Sequence, residues 1–186
     1  MKRAILIVML AAFAAPLFAQ SHEMGFLVGG SRRYVDNGTE SEDAHSTTNF
    51  SFSNTSFDLF WGFQVDPDTW VKFKAGRIES PIAFPDAGNP DARHDVDGEV
   101  QHIGVDVEYR FSEAYGSTGL FAGAGLYRQS AKGEESTQNY GFSMGVNGDF
   151  PLSKRYGVIL EAAYHWNRTD FSPRYLTGSA GLRVRF

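Results

Sequence analysis

The sequence ends in a segment that alternates between apolar or small residues and polar ones, up to a terminal aromatic, Phe186. A β-strand points successive side chains to opposite faces, so this period of two predicts a strand with one apolar face. The apolar face carries Leu176, Gly178, Ala180, Leu182, Val184 and Phe186. The opposite face includes Arg183 and Arg185. A helix would instead group its apolar residues at spacings of three and four, which this segment does not do.

The other end of the chain has the pattern of a secretory signal peptide. Lys2 and Arg3 precede a short apolar run over residues 4–15. This run is too short to cross a bilayer as a helix, which takes about 20 residues. We therefore expect residues 1–19 to be removed on export and residues 20–186 to form one domain.

Composition excludes several classes of protein. The chain has no cysteine, so neither a disulfide framework nor a thiolate metal site is available. Its formal net charge of −5 argues against nucleic acid as a partner, because nucleic-acid binding requires a basic surface. The aromatic content is 15%, there are 20 glycines, and the apolar residues recur at the period of strands. Together these features predict an all-β protein.

Seven further segments alternate like the last one, which brings the predicted number of strands to eight. The clearest runs over residues 100–111, and the others begin near Met24, Phe57, Trp70, Leu120, Tyr140 and Val158. In the segment 120–127, Ala and Gly leave the facing of the side chains open. Short connections (66–69, 112–118 and 151–156) alternate with long polar ones (31–55, 78–98, 129–138 and 167–175). This order predicts an eight-stranded antiparallel up-and-down transmembrane β-barrel with both termini at the periplasmic end.

Alternation alone does not decide whether the apolar face points into a core or outward to lipid. A secreted lipocalin-like barrel has the same period with an apolar interior. The positions of the aromatic residues favour the membrane alternative, because they fall where headgroup girdles are expected. The short-turn end has Trp70, Phe111, Phe150, Tyr156 and Phe186, and the long-loop end has Phe57, Tyr127, Tyr140, Trp166 and Tyr175.

An outward apolar face directs a set of charged residues into the interior. They are Asp58, Lys72, Lys74, Asp106, Glu108, Arg110, Asp149, Glu161, Arg183 and Arg185, together with His165. Because buried charges are costly unless paired, this balance of acids and bases predicts a closed network of ion pairs. We expect Glu161 to meet Arg183 or Arg185, and Glu108 to meet Lys72 or Lys74. Eight strands leave an interior just filled by side chains, so the sequence predicts a plugged barrel rather than an open pore.

The strand ends at residues 109–111 (Tyr-Arg-Phe) and 183–186 (Arg-Val-Arg-Phe), with the Gly-rich stretch 121–127, carry a family resemblance. The chain resembles the small eight-stranded bacterial outer-membrane barrels, those of the OmpA membrane domain and OmpX, over residues 20–186. The resemblance implies a Gram-negative outer-membrane location and contact with membrane lipid and lipopolysaccharide. It also implies a monomer, and it makes Phe186 the signal that the barrel-assembly machinery reads. The external ligand is not implied.

The strongest enzymatic alternative is a lipid A deacylase, which is also an eight-stranded barrel. That family has a His-x-Ser-Asn motif on its seventh strand, and here the stretch begins His165-Trp166-Asn167. An amide at position 167 cannot act as the acyl-accepting nucleophile. The acidic segment 78–98 lacks the ligand spacing of a calcium loop. The sequence therefore predicts no catalytic residue, no metal and no cofactor.

We expect a non-enzymatic scaffold that presents external loops for surface interaction or envelope integrity. Residues 31–55 and 78–98 are the longest of these loops, and loops on a rigid scaffold often carry recognition. The alternative functions are a small-solute channel and a deacylase-like barrel that has lost its nucleophile.

Overall fold

A computed structural model describes residues 21–34, 54–86, 89–113, 115–167 and 174–186. Its eight strands are β1 (His22–Tyr34), β2 (Thr55–Asp66), β3 (Thr69–Asp86), β4 (Asn89–Glu113), β5 (Gly116–Ala131), β6 (Thr137–Pro151), β7 (Tyr156–Asn167) and β8 (Arg174–Arg185). The signal peptide expected over residues 1–19 lies outside the described residues and stays a prediction. Within the described part of the chain, no helix is long and apolar enough to cross a membrane.

Each strand pairs antiparallel with its neighbour in sequence, and β8 pairs with β1 to close the barrel. The register is staggered: following paired residues once around the barrel from Glu23 leads back to β1 at Arg33, ten residues further along. With strands about 4.8 Å apart and a rise of about 3.3 Å per residue, this stagger tilts the strands by about 40°. The predicted up-and-down barrel is confirmed.

The barrel is apolar outside and polar inside. Outward residues such as Leu59, Ile103 and Leu160 expose about half or more of their surface. Most of the buried polar and charged side chains lie on the opposite face of the same strands. A water-soluble barrel has the reverse arrangement, because it buries its apolar face. The outward direction of the apolar face is confirmed, and the lipocalin-like alternative is excluded.

The sequence underestimated the strands at the end opposite the chain termini, which is the end predicted to be external. Residues 78–98 were expected to form a loop, but β3 and β4 continue as a paired ladder, with Ile82 opposite Val96. The connection between β5 and β6 is likewise short, and Gly133 adopts a positive φ of 88° there. Beyond the apolar band a hairpin does not need one apolar face, so the period of two disappears from the sequence while the backbone pairing persists. Most of 31–55 and 167–175 lies outside the described residues.

Three aromatic residues assigned to the girdles belong to the interior instead. Trp70, Tyr127 and Tyr175 are each no more than 3% exposed and point inward. The other seven project outward with between 37% and 68% of their surface exposed: Phe57, Phe111, Tyr140, Phe150, Tyr156, Trp166 and Phe186. The position of a residue along its strand therefore predicted its height along the barrel axis, but not whether its side chain points inward or outward.

Candidate functional site: the barrel interior

The third of the interior nearest the chain termini, at the end predicted to be periplasmic, is filled by an ion-pair network built on Glu108 and Glu23. Lys72 Nζ lies 2.5 Å from Glu108 Oε2, as the sequence led us to expect, and 3.6 Å from Glu23 Oε1. Arg110 donates to both carboxylates, including a 3.0 Å bond from Nη1 to Glu23 Oε2. Its guanidinium also lies 4.2 Å from the ring centroid of Trp70. These are charge-assisted bonds between side chains that are almost completely buried.

Asp149 holds the two C-terminal arginines. Arg183 Nε donates to both of its carboxylate oxygens at 2.8 Å. Arg185 Nη2 lies 3.4 Å from Asp149 Oδ2 and 3.5 Å from Glu23 Oε2, and this side chain remains about one-third exposed at the periplasmic mouth. The last strand is thus fastened to the network by both of its inward cations.

Lys74 is the centre of the middle layer. Its Nζ donates to Glu161 Oε1 and Oε2 at 2.8 and 2.9 Å, and lies 3.1 Å from Asp106 Oδ2. Ser143 donates a 2.7 Å bond to Asp106 Oδ1, and the ring of Phe121 lies 4.1 Å from Nζ of Lys74. One cation is therefore shared by two carboxylates in a buried site.

The expected pairing of Glu161 with Arg183 or Arg185 is wrong. In the register of β7 with β8, Glu161 lies opposite Ser179 and Arg183 lies opposite Gly157, four residues away along β7. The prediction compared the depths of Glu161 and Arg183 by counting residues from the ends of their strands, and this count ignores the stagger of the barrel. Glu161 instead meets Lys74 from β3, because the interior is narrow enough for side chains to reach across it.

Two interior glycines give the carboxylates their space. A Cβ at Gly123 would collide with Asp106 Oδ1, and one at Gly76 would collide with Asp58 Oδ1. Both glycines lie directly beside these acids in the paired register. Because glycine has no Cβ, the neighbouring carboxylate can occupy the space next to the glycine backbone.

A histidine layer lies above the ion pairs. His102 Nε2 is 2.8 Å from Asp58 Oδ1, within ion-pair distance but without the alignment of a hydrogen bond. The Tyr127 hydroxyl lies 3.1 Å from His165 Nδ1, and the His102 ring stacks on Tyr127 at a centroid distance of 5.5 Å. No group of three His, Asp or Glu side chains among the described residues is arranged to hold a metal ion.

An apolar cluster, called the plug below, occupies the external third of the interior. It consists of Ile78, Val100, Tyr127 and Tyr175, none of them more than 3% exposed. Gln129 donates a 3.2 Å hydrogen bond to the Tyr175 hydroxyl, which satisfies the polar end of that ring. The plug therefore places buried apolar side chains above the charged layers.

The eight residues that the sequence assigned to the interior network all point into the barrel: Lys72, Lys74, Asp106, Glu108, Arg110, Glu161, Arg183 and Arg185. Sequence reasoning missed Glu23 and His102 as partners in the network. Glu23 lies one residue before the predicted start of β1, but its parity, opposite to that of Met24, Phe26 and Val28, would have revealed its inward direction. Glu23 is a sixth acid in the interior. His102 is the partner of another of these acids, Asp58.

The residues considered for catalysis also lie inside. His165 is 4% exposed, and Asn167 is fully buried on the same inward face of β7. A lipid substrate would approach the opposite face of this strand, where Trp166 projects.

No protein-family model matches the sequence, and no curated protein is detectably similar to it. Among solved structures, the Neisserial surface protein A is similar with a TM-score of 0.64 at 15% identity, covering 89% of this chain and 97% of that one. The chain has the fold of a small outer-membrane β-barrel. The N-terminal barrel domain of Pseudomonas aeruginosa OprF is similar at TM-score 0.53 and 13% identity, covering 90% and 98%. Ail, the attachment invasion locus protein of Yersinia pestis, gives 0.50 and 18%, covering 89% and 98%.

Proposed function

We propose that this protein is an integral outer-membrane barrel of Gram-negative bacteria that works without catalysis, as a rigid scaffold for its external segments. The observation that carries the proposal is an interior filled with buried side chains. Ion pairs occupy its periplasmic and middle layers, and the plug of Ile78, Val100, Tyr127 and Tyr175 occupies the external third. A barrel without an open path is best suited to holding what is attached to its rim.

The external end of the barrel is built for presentation. β3 and β4 extend to Asp86 and Asn89, well beyond the buried pair Ile78 and Val100 at the plug. The resulting hairpin projects a rigid ladder from the membrane surface. Ail, one of the similar structures, is named as an attachment and invasion protein and has been crystallised with a heparin analogue. That likeness supports surface interaction as the function of the projecting segments.

The location and assembly of the barrel form part of the proposal. Phe186 is 68% exposed on the outward face, and its backbone pairs with His22 to complete the β8–β1 seam. An exposed terminal aromatic at the seam suits recognition by the barrel-assembly machinery before the strands close. We propose a monomer embedded in phospholipid and lipopolysaccharide, since closure of the barrel leaves no sheet edge in the membrane-spanning wall for a partner.

Two measurements test the scaffold against its rival, a small-solute channel. Purified protein in planar bilayers should give no steady conductance, whereas a steady large conductance would favour the channel. For the scaffold, cells displaying the intact chain should bind to a panel of immobilised extracellular-matrix proteins. A hairpin shortened by deleting residues 82–95 should lose that binding while the barrel still folds. Binding unchanged by this deletion and by replacement of residues 37–51 would contradict a loop-based function.

A further inference from the structure

A long apolar groove crosses the outward face of the barrel near its periplasmic end, with a volume of about 790 Å³. One bank is a row of paired outward residues on five successive strands: Tyr156, Val184, Met24, Trp61 and Phe73. The other bank is the next row up, from Leu182 to Ala75 and Ile103. The inward-facing residues between the two rows, such as Gly25, contribute the floor.

The direction of the groove follows from the stagger of the barrel. Paired residues rise toward the external end in the order β7, β8, β1, β2, β3, β4, so the groove climbs from Tyr156 to Ile103. Five strand spacings of about 4.8 Å make it about 24 Å long, and at a tilt of about 40° it rises about 15 Å. That rise is about half of a hydrocarbon core of about 30 Å. The groove thus spans one leaflet, from the periplasmic headgroups to the midplane.

The lower end of the groove opens at a basic turn. Leu152 and Tyr156 line this end, and the residues between them include Lys154 and Arg155, both exposed. The Ser153 hydroxyl accepts the backbone N–H of Tyr156 at 3.0 Å, which fixes the turn beside the groove. Neither cation makes a side-chain ion pair within the described part of the chain.

The charges at the groove are specific to this turn. The β2–β3 turn, at the same end of the barrel, carries Asp66 and Asp68 instead. The cations nearest to the other side of the seam, Arg183 and Arg185, are bound to Asp149 in the interior. Positive charge at the periplasmic headgroup level is therefore concentrated where the groove begins.

We propose that this groove and turn form a binding site for an anionic glycerophospholipid of the periplasmic leaflet. Lys154 and Arg155 hold the phosphate and the anionic headgroup, Tyr156 lies at the level of the glycerol, and one acyl chain occupies the groove over Trp61 and Ala75. The apolar banks match an acyl chain, and the two cations select for negative charge. The site requires only that the barrel spans a membrane, and it is independent of the function of the external segments.

Trp61 provides a direct readout, because it is 49% exposed in the groove. The chain has three tryptophans; Trp70 is buried in the interior and Trp166 lies on the outward face, so a Trp166→Phe variant leaves Trp61 as the lipid-facing one. This variant is reconstituted in phosphatidylcholine vesicles with a minor fraction of bromine-labelled lipid. The label is carried on the acyl chain of either phosphatidylglycerol or phosphatidylcholine. A Trp61→Phe, Trp166→Phe variant gives the background from Trp70.

We expect labelled phosphatidylglycerol to quench Trp61 more strongly than labelled phosphatidylcholine, with an apparent preference of about fivefold for each cation. Lys154→Gln with Arg155→Gln should remove that preference, whereas the matched change Lys132→Gln in the external β5–β6 turn should keep it. Ala75→Phe should fill the groove and reduce quenching by phosphatidylglycerol. Equal quenching by the two lipids, or a preference that survives loss of both cations, would overturn the site. Quenching unchanged in Ala75→Phe would overturn the groove as the seat of the acyl chain.

Discussion

Lys74 and Glu161 face each other across the barrel, with Nζ of the lysine 2.8 Å from Oε1 of the glutamate. The two residues lie on β3 and β7, which do not pair with each other. Both side chains are at least nine-tenths buried, and the lysine also forms an ion pair with Asp106. This contact joins opposite walls of the barrel, so it resists deformation of the cross-section as well as balancing charge.

The sharing of Lys74 by two carboxylates predicts an asymmetric response to mutation. Lys74→Met leaves Glu161 and Asp106 buried without their cation and should destabilise the barrel by about 3–5 kcal/mol. Glu161→Gln leaves Lys74 paired with Asp106 and should cost only about 1–3 kcal/mol. Urea unfolding in lipid vesicles, followed by the gel-mobility difference between folded and unfolded barrel, gives both values. The double change Lys74→Met with Glu161→Leu should recover part of the loss. Equal costs for the two single changes would show that Asp106 contributes nothing.

Glycines of the barrel wall should tolerate a methyl group only where the space beside them is open. Gly123→Ala drives a Cβ into Asp106 Oδ1 and should destabilise the barrel by about 1–3 kcal/mol, as overpacking does. Gly30→Ala, on the outward face of β1, is the control, because the nearest atom to its added Cβ is 3.8 Å away. The same unfolding assay compares them. A cost at Gly30 as large as that at Gly123 would point to strand propensity rather than contact with the carboxylate.

The lipid-facing surface should reject charge in a depth-dependent way. Val105→Arg places a guanidinium on the outward face within the apolar band and should cost about 2–4 kcal/mol. Gln101→Arg lies on the same face of β4, nearer the external end, and should cost about 0–1 kcal/mol. Folding yield and unfolding free energy in vesicles measure the difference. If Val105→Arg were tolerated as well as Gln101→Arg, the outward face would not be in hydrocarbon.

Deletion of Phe186 should separate assembly from stability. Its ring is 68% exposed, so removing it sacrifices little packing. We expect less barrel in the outer membrane of cells and more degradation in the periplasm. Once folded in vesicles, the shortened protein should unfold at nearly the same urea concentration as the full chain. Normal insertion in cells would remove the proposed assembly signal, and Phe186→Tyr provides the control that keeps an aromatic end.

The alternation of apolar and polar residues was sufficient to predict the number, order and outward face of the strands. The period of two is a local property, because each side chain's direction depends only on its neighbours in the strand. The external hairpin of β3 and β4 was missed for the same reason. Above the lipid a strand does not need one apolar face, so the backbones of Ile82 and Val96 pair within a segment that carries no alternating signal.

The sequence by itself determined which side chains enter the interior, since Lys74, Glu161 and Arg183 follow the parity of their strands. Only the tertiary structure decided their partners. Because the register is staggered by ten residues, residues at equal distances from their strand ends do not lie at the same depth. The interior is also narrow, so Lys74 reaches Glu161 on β7, while Arg183 pairs with Asp149. The lipid groove has the same origin, because its two banks cross the β8–β1 seam, and only closure of the barrel brings β7 and β8 beside β1 to β4.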